Sequence, residues 1–168
     1  MYKPMADAML RFSIITPRRC AAFVAQVGHE SAGLTIWSEL WGPTEAQRGY
    51  EGRADLGNVQ PGDGKLFHGR GPLQITGRAM YHDAGQALGV DLEADPDAVL
   101  RPGLGFAISG WIWRLKGCNP LADQHSLEGI RQITRRINGG MNGWDDRLRR
   151  WRLACAIWDL PILHEAEA

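Results

Sequence analysis

The chain has no net charge: its 168 residues carry 19 basic and 19 acidic side chains. Global attraction to nucleic acid or to an anionic membrane surface is therefore not expected. It is also poor in cysteine. Cys20, Cys118 and Cys155 form an odd set without the spacing of a disulfide framework or a zinc site. Each lies among apolar neighbours, so all three read as small buried hydrophobes in a reducing compartment. The histidines, His29, His68, His82, His125 and His164, show no HExxH or similar spacing, and no metal or cofactor is expected. No GxxxxGK[ST] phosphate loop is present, and Gly69-Arg70-Gly71 is too short a match to stand for one. No apolar run reaches the length of a membrane span, and MYKPMADAML lacks the apolar stretch of a signal peptide. The expectation is a protein made in the cytoplasm.

What is present suits one domain over residues 1–168, long enough to bury a real core. Tryptophan (7) and glycine (21) are both abundant, giving flat apolar faces and tight turns. Residues 5–13 fit a short helix. Thr16-Pro17 reads as an N-cap and first helical residue, and Cys20, Phe23, Val24 and Val27 carry helical spacing to about His29. From Trp41 to Gly77 glycine and proline crowd together and the periodicity vanishes, which predicts a long structured loop with a short strand at Gln74–Thr76. Helices are predicted again at about 78–88, 102–115, 127–138 and 143–157, with a short one after Asp95-Pro96. The fold class is mainly α around one irregular, glycine-heavy segment.

Splitting a glycosidic bond takes one carboxylic acid to protonate the leaving oxygen and a second carboxylate to activate water or attack the sugar. Glu30 ends an apolar helix where the chain enters the loop region, a place that suits a proton donor. Glu39, nine residues on, and Glu51 lie within chain reach of it. The structural alternative is that Glu30 caps its helix or pairs with an arginine such as Arg70. The carboxylates alone do not decide between the two.

Three ordered segments do more: AQVGHESAGL, LFHGRGPLQITGRAMYHDAGQALGVDL and INGGMNGWDDR. Together they resemble the family-19 glycoside hydrolases, the plant and bacterial chitinases and related phage endolysins, over about Thr16 to Trp158. The resemblance implies an α+β, lysozyme-like, two-lobed helical domain with at most a small sheet lining a cleft. It implies inverting hydrolysis, with Glu30 as general acid, a second carboxylate as base on water, and about 6.5–9.5 Å between them. The base falls on Glu39 by the spacing of short-loop bacterial members; Glu51, in Gly49-Tyr50-Glu51-Gly52-Arg53, is the alternative by analogy with plant members. Thr76 matches the hydroxyl residue that holds the water, and Gln74 and Asn138 match sugar-binding amides. Arg70 and Arg147 match arginines that brace the carboxylates. Met80 stands where much of the family has asparagine, which removes one polar contact, while Tyr81 remains a cleft candidate.

Other residues carry weaker signals. His29 precedes the acid and could buttress it. Trp37 and Trp41, beside Glu39, suit a cleft wall or the core, whereas Trp111 and Trp113 sit in an apolar helix and read as core. Seven arginines against two aspartates between Arg131 and Arg152 suit the solvated face of a helix or a patch for an anionic wall polymer. The style of TPRRCAAFVAQVGHES and GRGPLQITGR, and the missing signal peptide, favour peptidoglycan over chitin as substrate. The expected enzyme is an endolysin-type monomer that reaches the periplasmic wall after a separate pore-forming protein opens the membrane. A glycan-binding protein without catalysis is the reading from another class.

Overall fold

The computed structural model describes residues 2–164. Its central element is α2 (Pro17–Glu30), which starts as the sequence predicts: the Thr16 hydroxyl accepts the Arg19 amide and Pro17 takes the first helical position. Before it lies α1 (Tyr2–Arg11), three residues earlier than the expected start. The segment from Trp41 to Gly77 holds α3 (Glu45–Arg48), a 3₁₀ turn (Ala54–Leu56) and α4 (Asp63–Leu66). None of these is long enough to show a 3.6-residue repeat, which is why the sequence reads there as loop only. After it come α5 (Arg78–Leu88), a 3₁₀ turn (Pro96–Leu100), α6 (Pro102–Leu115), α7 (Cys118–Asp123), α8 (Leu127–Asn138) and α9 (Trp144–Ile157).

The structure differs from expectation in two places. Gln74–Thr76 is not a strand; the region has only single bridges, Ser38 to Arg70 and Arg70 to Ile75, because Gly71 (φ +91°) and Pro72 turn the chain at once. Helix α7 is additional to the predicted helices and accommodates Pro120. The proline occupies the third position of the helix, where its missing N–H has no intrahelical partner to lose.

The core is assembled by α2 packed on α9 and α1 packed on α6. Phe23 of α2 meets Trp113 of α6 edge to face at 5.4 Å, and both are fully buried together with Phe106 and Ile130. Trp111 belongs to the same core, as expected, and Cys118 and Cys155 are buried free thiols whose pKa values burial pushes up to about 12 and about 11. Such thiols are poor nucleophiles at neutral pH. The C-terminal ends of α2, α6 and α8 converge, and the loop 73–76 faces them. No helix among the described residues is long and apolar enough to cross a membrane.

Candidate active site

Glu30 is carried on the last turn of α2, whose buried side (Ala22, Phe23, Gln26, Val27) fixes the helix in the core. One of its oxygens, Oε1, accepts from Arg147 Nη2 of α9 at 2.5 Å. Arg147 is fully buried, and its other donors go to Gln26 Oε1 and to the Asn142 carbonyl. Gln26 in turn donates to Thr134 Oγ1. Every member of this chain has a partner, so the guanidinium is locked before it meets Glu30. The second oxygen of Glu30 makes no hydrogen bond among the described residues, and the side chain is only partly exposed.

Beyond Glu30 the chain turns sharply: Ala32, Gly33 and Leu34 all have positive φ, held by Gly33 N to Gly28 O and Leu34 N to Ser31 Oγ. Left-handed geometry at two non-glycine residues in succession with a glycine costs free energy and survives only where the surroundings enforce it. The turn sends residues 36–40 back alongside 68–71, where Glu39 N donates to Gly69 O and Gly71 N to Trp37 O. The Glu39 carboxylate accepts three donors: Gly69 N on Oε2 at 3.1 Å, and Gln47 Nε2 at 3.0 Å and Tyr50 OH at 3.4 Å on Oε1.

Gly69 is where these parts meet. A Cβ at that position would lie 2.3 Å from Gln74 Oε1, 3.2 Å from Glu39 Oε2 and 3.3 Å from Thr76 Oγ1. Glu39, Gln74 and Thr76 thus surround one bare backbone position. Gln74 and Thr76 also line a cavity of about 320 Å³ whose other walls include Glu30, Ile112, Lys116, Ile137 and Asn138. Glu30 lines this cavity directly, whereas Glu39 stands behind Gln74 and Thr76, across the space over Gly69. Asn138 Oδ1 is buried and has no donor among the described residues, an acceptor that a ligand N–H or O–H would satisfy. The left-handed helix end belongs to Gly139 (φ +79°), which leaves the Asn138 side chain to the cavity.

A partly enclosed carboxylate with one free oxygen, a second one held by three donors, a hydroxyl beside it and amides on the wall make a glycosidase layout. Residues 13–127 match the profile of the glycoside hydrolase family 19 described as chitinase class I. The chain belongs to glycoside hydrolase family 19. Among relatives, a glycosyl hydrolase family 19 domain-containing protein of Haemophilus influenzae is 30% identical over 90% of this chain and 86% of its own length. An endochitinase of Arabidopsis thaliana is 38% identical over 75% of this chain, which spans only 41% of that protein. Chitinase C from Streptomyces griseus shares the fold, with a TM-score of 0.78 at 24% identity over 98% of this chain and 72% of the other. The protein is a glycoside hydrolase.

In this family-19 enzyme several of the sequence-predicted residues lie elsewhere than expected. Glu51 spends both oxygens on loop amides, Gly62 N at 2.6 Å and Gly64 N at 2.9 Å, and so ties down the turn that starts α4. Arg70 braces neither carboxylate: its guanidinium binds Asp97, the carbonyls of Leu66 and His68, and Tyr81 OH. It stiffens the strand-like segment that offers Gly69 to Glu39. His29 does not reach Glu30 through any hydrogen bond; its Nδ1 meets Asp146 Oδ2 at 2.8 Å, and its ring fills the space over Gly143. Tyr81 does not line the cavity that holds Glu30. It is fully buried, with its hydroxyl donating to His68 O and accepting from Arg70, and burial pushes its pKa up to about 12 against the opposing effect of Arg70. Trp37 packs edge-on against Phe106 at 5.0 Å and presses over Gly105, which makes it part of the core wall behind the site. Trp41 instead lies against Tyr50 and His68 beside Glu39. The arginine stretch is not one solvated face, since Arg147 is buried and Arg149 and Arg150 both pair with Asp146.

Gln26, Gln47, Tyr50 and Gly69 belong to the site without having been predicted from the sequence. Only Gln47 had a signal: Thr44-x-x-Gln47 is a capping-box pattern, and both of its reciprocal bonds form.

Proposed function

We propose that the enzyme cleaves β-1,4 bonds between MurNAc and GlcNAc in peptidoglycan, with inversion, as an endolysin that lyses bacterial cells. The observation that carries the chemistry is the single cavity bounded by Glu30 on one side and by Gln74 and Thr76, neighbours of Glu39, on the other. Glu30 donates its proton to the glycosidic oxygen as the C–O bond breaks. Glu39 takes a proton from a water whose oxygen forms the new bond to the anomeric carbon, and Thr76 orients that water. Asn138 and Gln74 take the N-acetyl and hydroxyl groups of the sugar. No metal or cofactor enters the reaction. Peptidoglycan is favoured by the endolysin-like style of TPRRCAAFVAQVGHES and GRGPLQITGR. In this reading the enzyme acts as a monomer on the periplasmic wall after a separate pore-forming protein has opened the membrane.

Chitin is the second reading, favoured by the family's description and by the plant endochitinases among the relatives. Both polymers carry N-acetyl groups and β-1,4 links, so the catalytic residues serve either. Purified sacculi and glycol chitin offered side by side, with analysis of the new reducing ends, decide between them. Release of MurNAc reducing ends from sacculi at a rate well above turnover of glycol chitin supports the endolysin. Turnover of glycol chitin alone refutes it.

A further inference from the structure

We infer that Gln47 is a positioning residue for the reaction, dividing the labour between the two oxygens of Glu39. The inference rests on the reading of Glu39 as the base. Gln47 is 4% exposed, and all four valences of its amide are engaged. Its Oε1 accepts from Gly42 N at 3.2 Å and Thr44 N at 2.8 Å; its Nε2 donates to Leu40 O at 2.8 Å and to Glu39 Oε1 at 3.0 Å. An amide can usually turn over and exchange its nitrogen and oxygen. Here that exchange would set nitrogen against two N–H donors and oxygen against a carbonyl and a carboxylate. The orientation is fixed by backbone, and a donor therefore points at Glu39 whatever the state of the cleft.

The consequence is asymmetric. Oε1 is anchored by Gln47 and, at 3.4 Å, by Tyr50. Oε2 carries only the Gly69 amide, and it is the oxygen that shares the space over Gly69 with Thr76 Oγ1. Oε2 is thus the atom presented to the water beside Thr76 and the one that takes its proton. Helix α3, a single turn closed by the Thr44–Gln47 capping box, is the device that holds the donor in place. Of the titratable groups around this arrangement, Tyr50 donates to Glu39 Oε1, His68 is tied to Ser38 and the Lys65 carbonyl, Arg48 donates to Pro43 O, Arg53 is paired with Asp55, and Glu45 opens α3.

Gln47→Glu separates positioning from capping. The new carboxylate still accepts from Gly42 N and Thr44 N, but it donates nothing to Glu39 and sets a like charge beside it. The expected result is a kcat lowered about tenfold or more at neutral pH, KM within about twofold, and the acid limb of the kcat–pH profile moved up by about one unit. Gln47→Met, which removes the donor without adding charge, lowers kcat in the same direction with a smaller shift of the limb. Thr44→Ala, which breaks the cap and leaves the Gln47–Glu39 bond, lowers the melting temperature and leaves the limb in place. An unmoved limb in Gln47→Glu, or an equal shift in Thr44→Ala, overturns the role of Gln47, provided that Glu39→Gln is inactive in the same assay. Turnover by Glu39→Gln would instead remove the base assignment underneath it. Each variant is assayed on sacculi and on glycol chitin, and the profile is read on whichever polymer the unaltered enzyme turns over.

Discussion

Replacing Gly69 by alanine adds one methyl group at the point where the base, the water-holding hydroxyl and a sugar-binding amide converge. The backbone there has no positive φ, so alanine is tolerated conformationally. The cost is local. The new Cβ would stand 2.3 Å from Gln74 Oε1, which must retreat by about 1 Å to reach ordinary contact. Glu39 Oε2 at 3.2 Å and Thr76 Oγ1 at 3.3 Å must each give by a few tenths of an ångström. Gln74 is tied to Gly71 O by one hydrogen bond, and losing it costs about 1 kcal/mol of stability. Mispositioning in an active site by about 1 Å, here of the sugar-holding Gln74 with smaller shifts of Glu39 and Thr76, can cost roughly a hundredfold in rate, or about 2.7 kcal/mol of transition-state stabilisation. Gly69→Ala should therefore lose about a hundredfold in kcat while its melting temperature falls by only about 2–4 °C. Gly103→Ala is the control, because nothing lies within 4 Å of a Cβ added there. Steady-state turnover beside a thermal melt tests the point. If Gly69→Ala keeps more than about a third of wild-type turnover, the convergence of the three groups is not what the reaction uses.

Three further outcomes follow from named contacts. Arg147→Ala leaves Gln26 and Glu30 without their buried partner and should destabilise the fold by about 3–5 kcal/mol, read as a lowered denaturant midpoint. Glu51→Gln should keep turnover within about threefold while limited proteolysis of the 51–64 loop accelerates, because its carboxylate serves loop amides. Asp146 is held far below the usual carboxylate range by its bond to Arg150 and then by His29 and Arg149. A depressed folded pKa gives stability that is present above the unfolded value of about 3.9 and lost as pH falls below it. The wild type should thus lose stability between about pH 5 and pH 2 more steeply than Asp146→Asn, as measured by chemical denaturation across that range.

Much of the helical frame was legible because long helices announce themselves. Thr16-Pro17 and the apolar helix of 102–115 with Trp111 and Trp113 each state a local rule that packing did not overturn. The glycine-heavy segment was legible only as a place. Its single-turn helices and its lone bridges are set by capping and by contacts distant in sequence, such as Ser38 with Arg70, and no periodicity reports these. The same division holds for the site. Motif blocks pointed to Glu30, Thr76, Gln74, Asn138 and Arg147, and spacing pointed to Glu39; Glu30, Gln74, Thr76 and Asn138 line one cavity, Arg147 holds Glu30, and Glu39 meets Gln74 and Thr76 over Gly69. For Arg70, His29 and Tyr81 the residue type was suggestive, but the partner was not. Arg70 turned to Asp97, 27 residues away, and His29 to Asp146, 117 residues away, and such pairings are written only in the fold. Gln47 and Gly69 had no chemistry of their own to attract notice, since each acts by where it sits.

The most direct test is the turnover of Glu30→Gln and Glu39→Gln, each shown by circular dichroism to be folded, on the polymer that the unaltered enzyme degrades. Both amides are near-isosteric, so only proton transfer is removed, and each variant should lose about a thousandfold or more in kcat. Either variant retaining a tenth of the activity, or an equal collapse in Glu51→Gln, would contradict the assignment of acid and base.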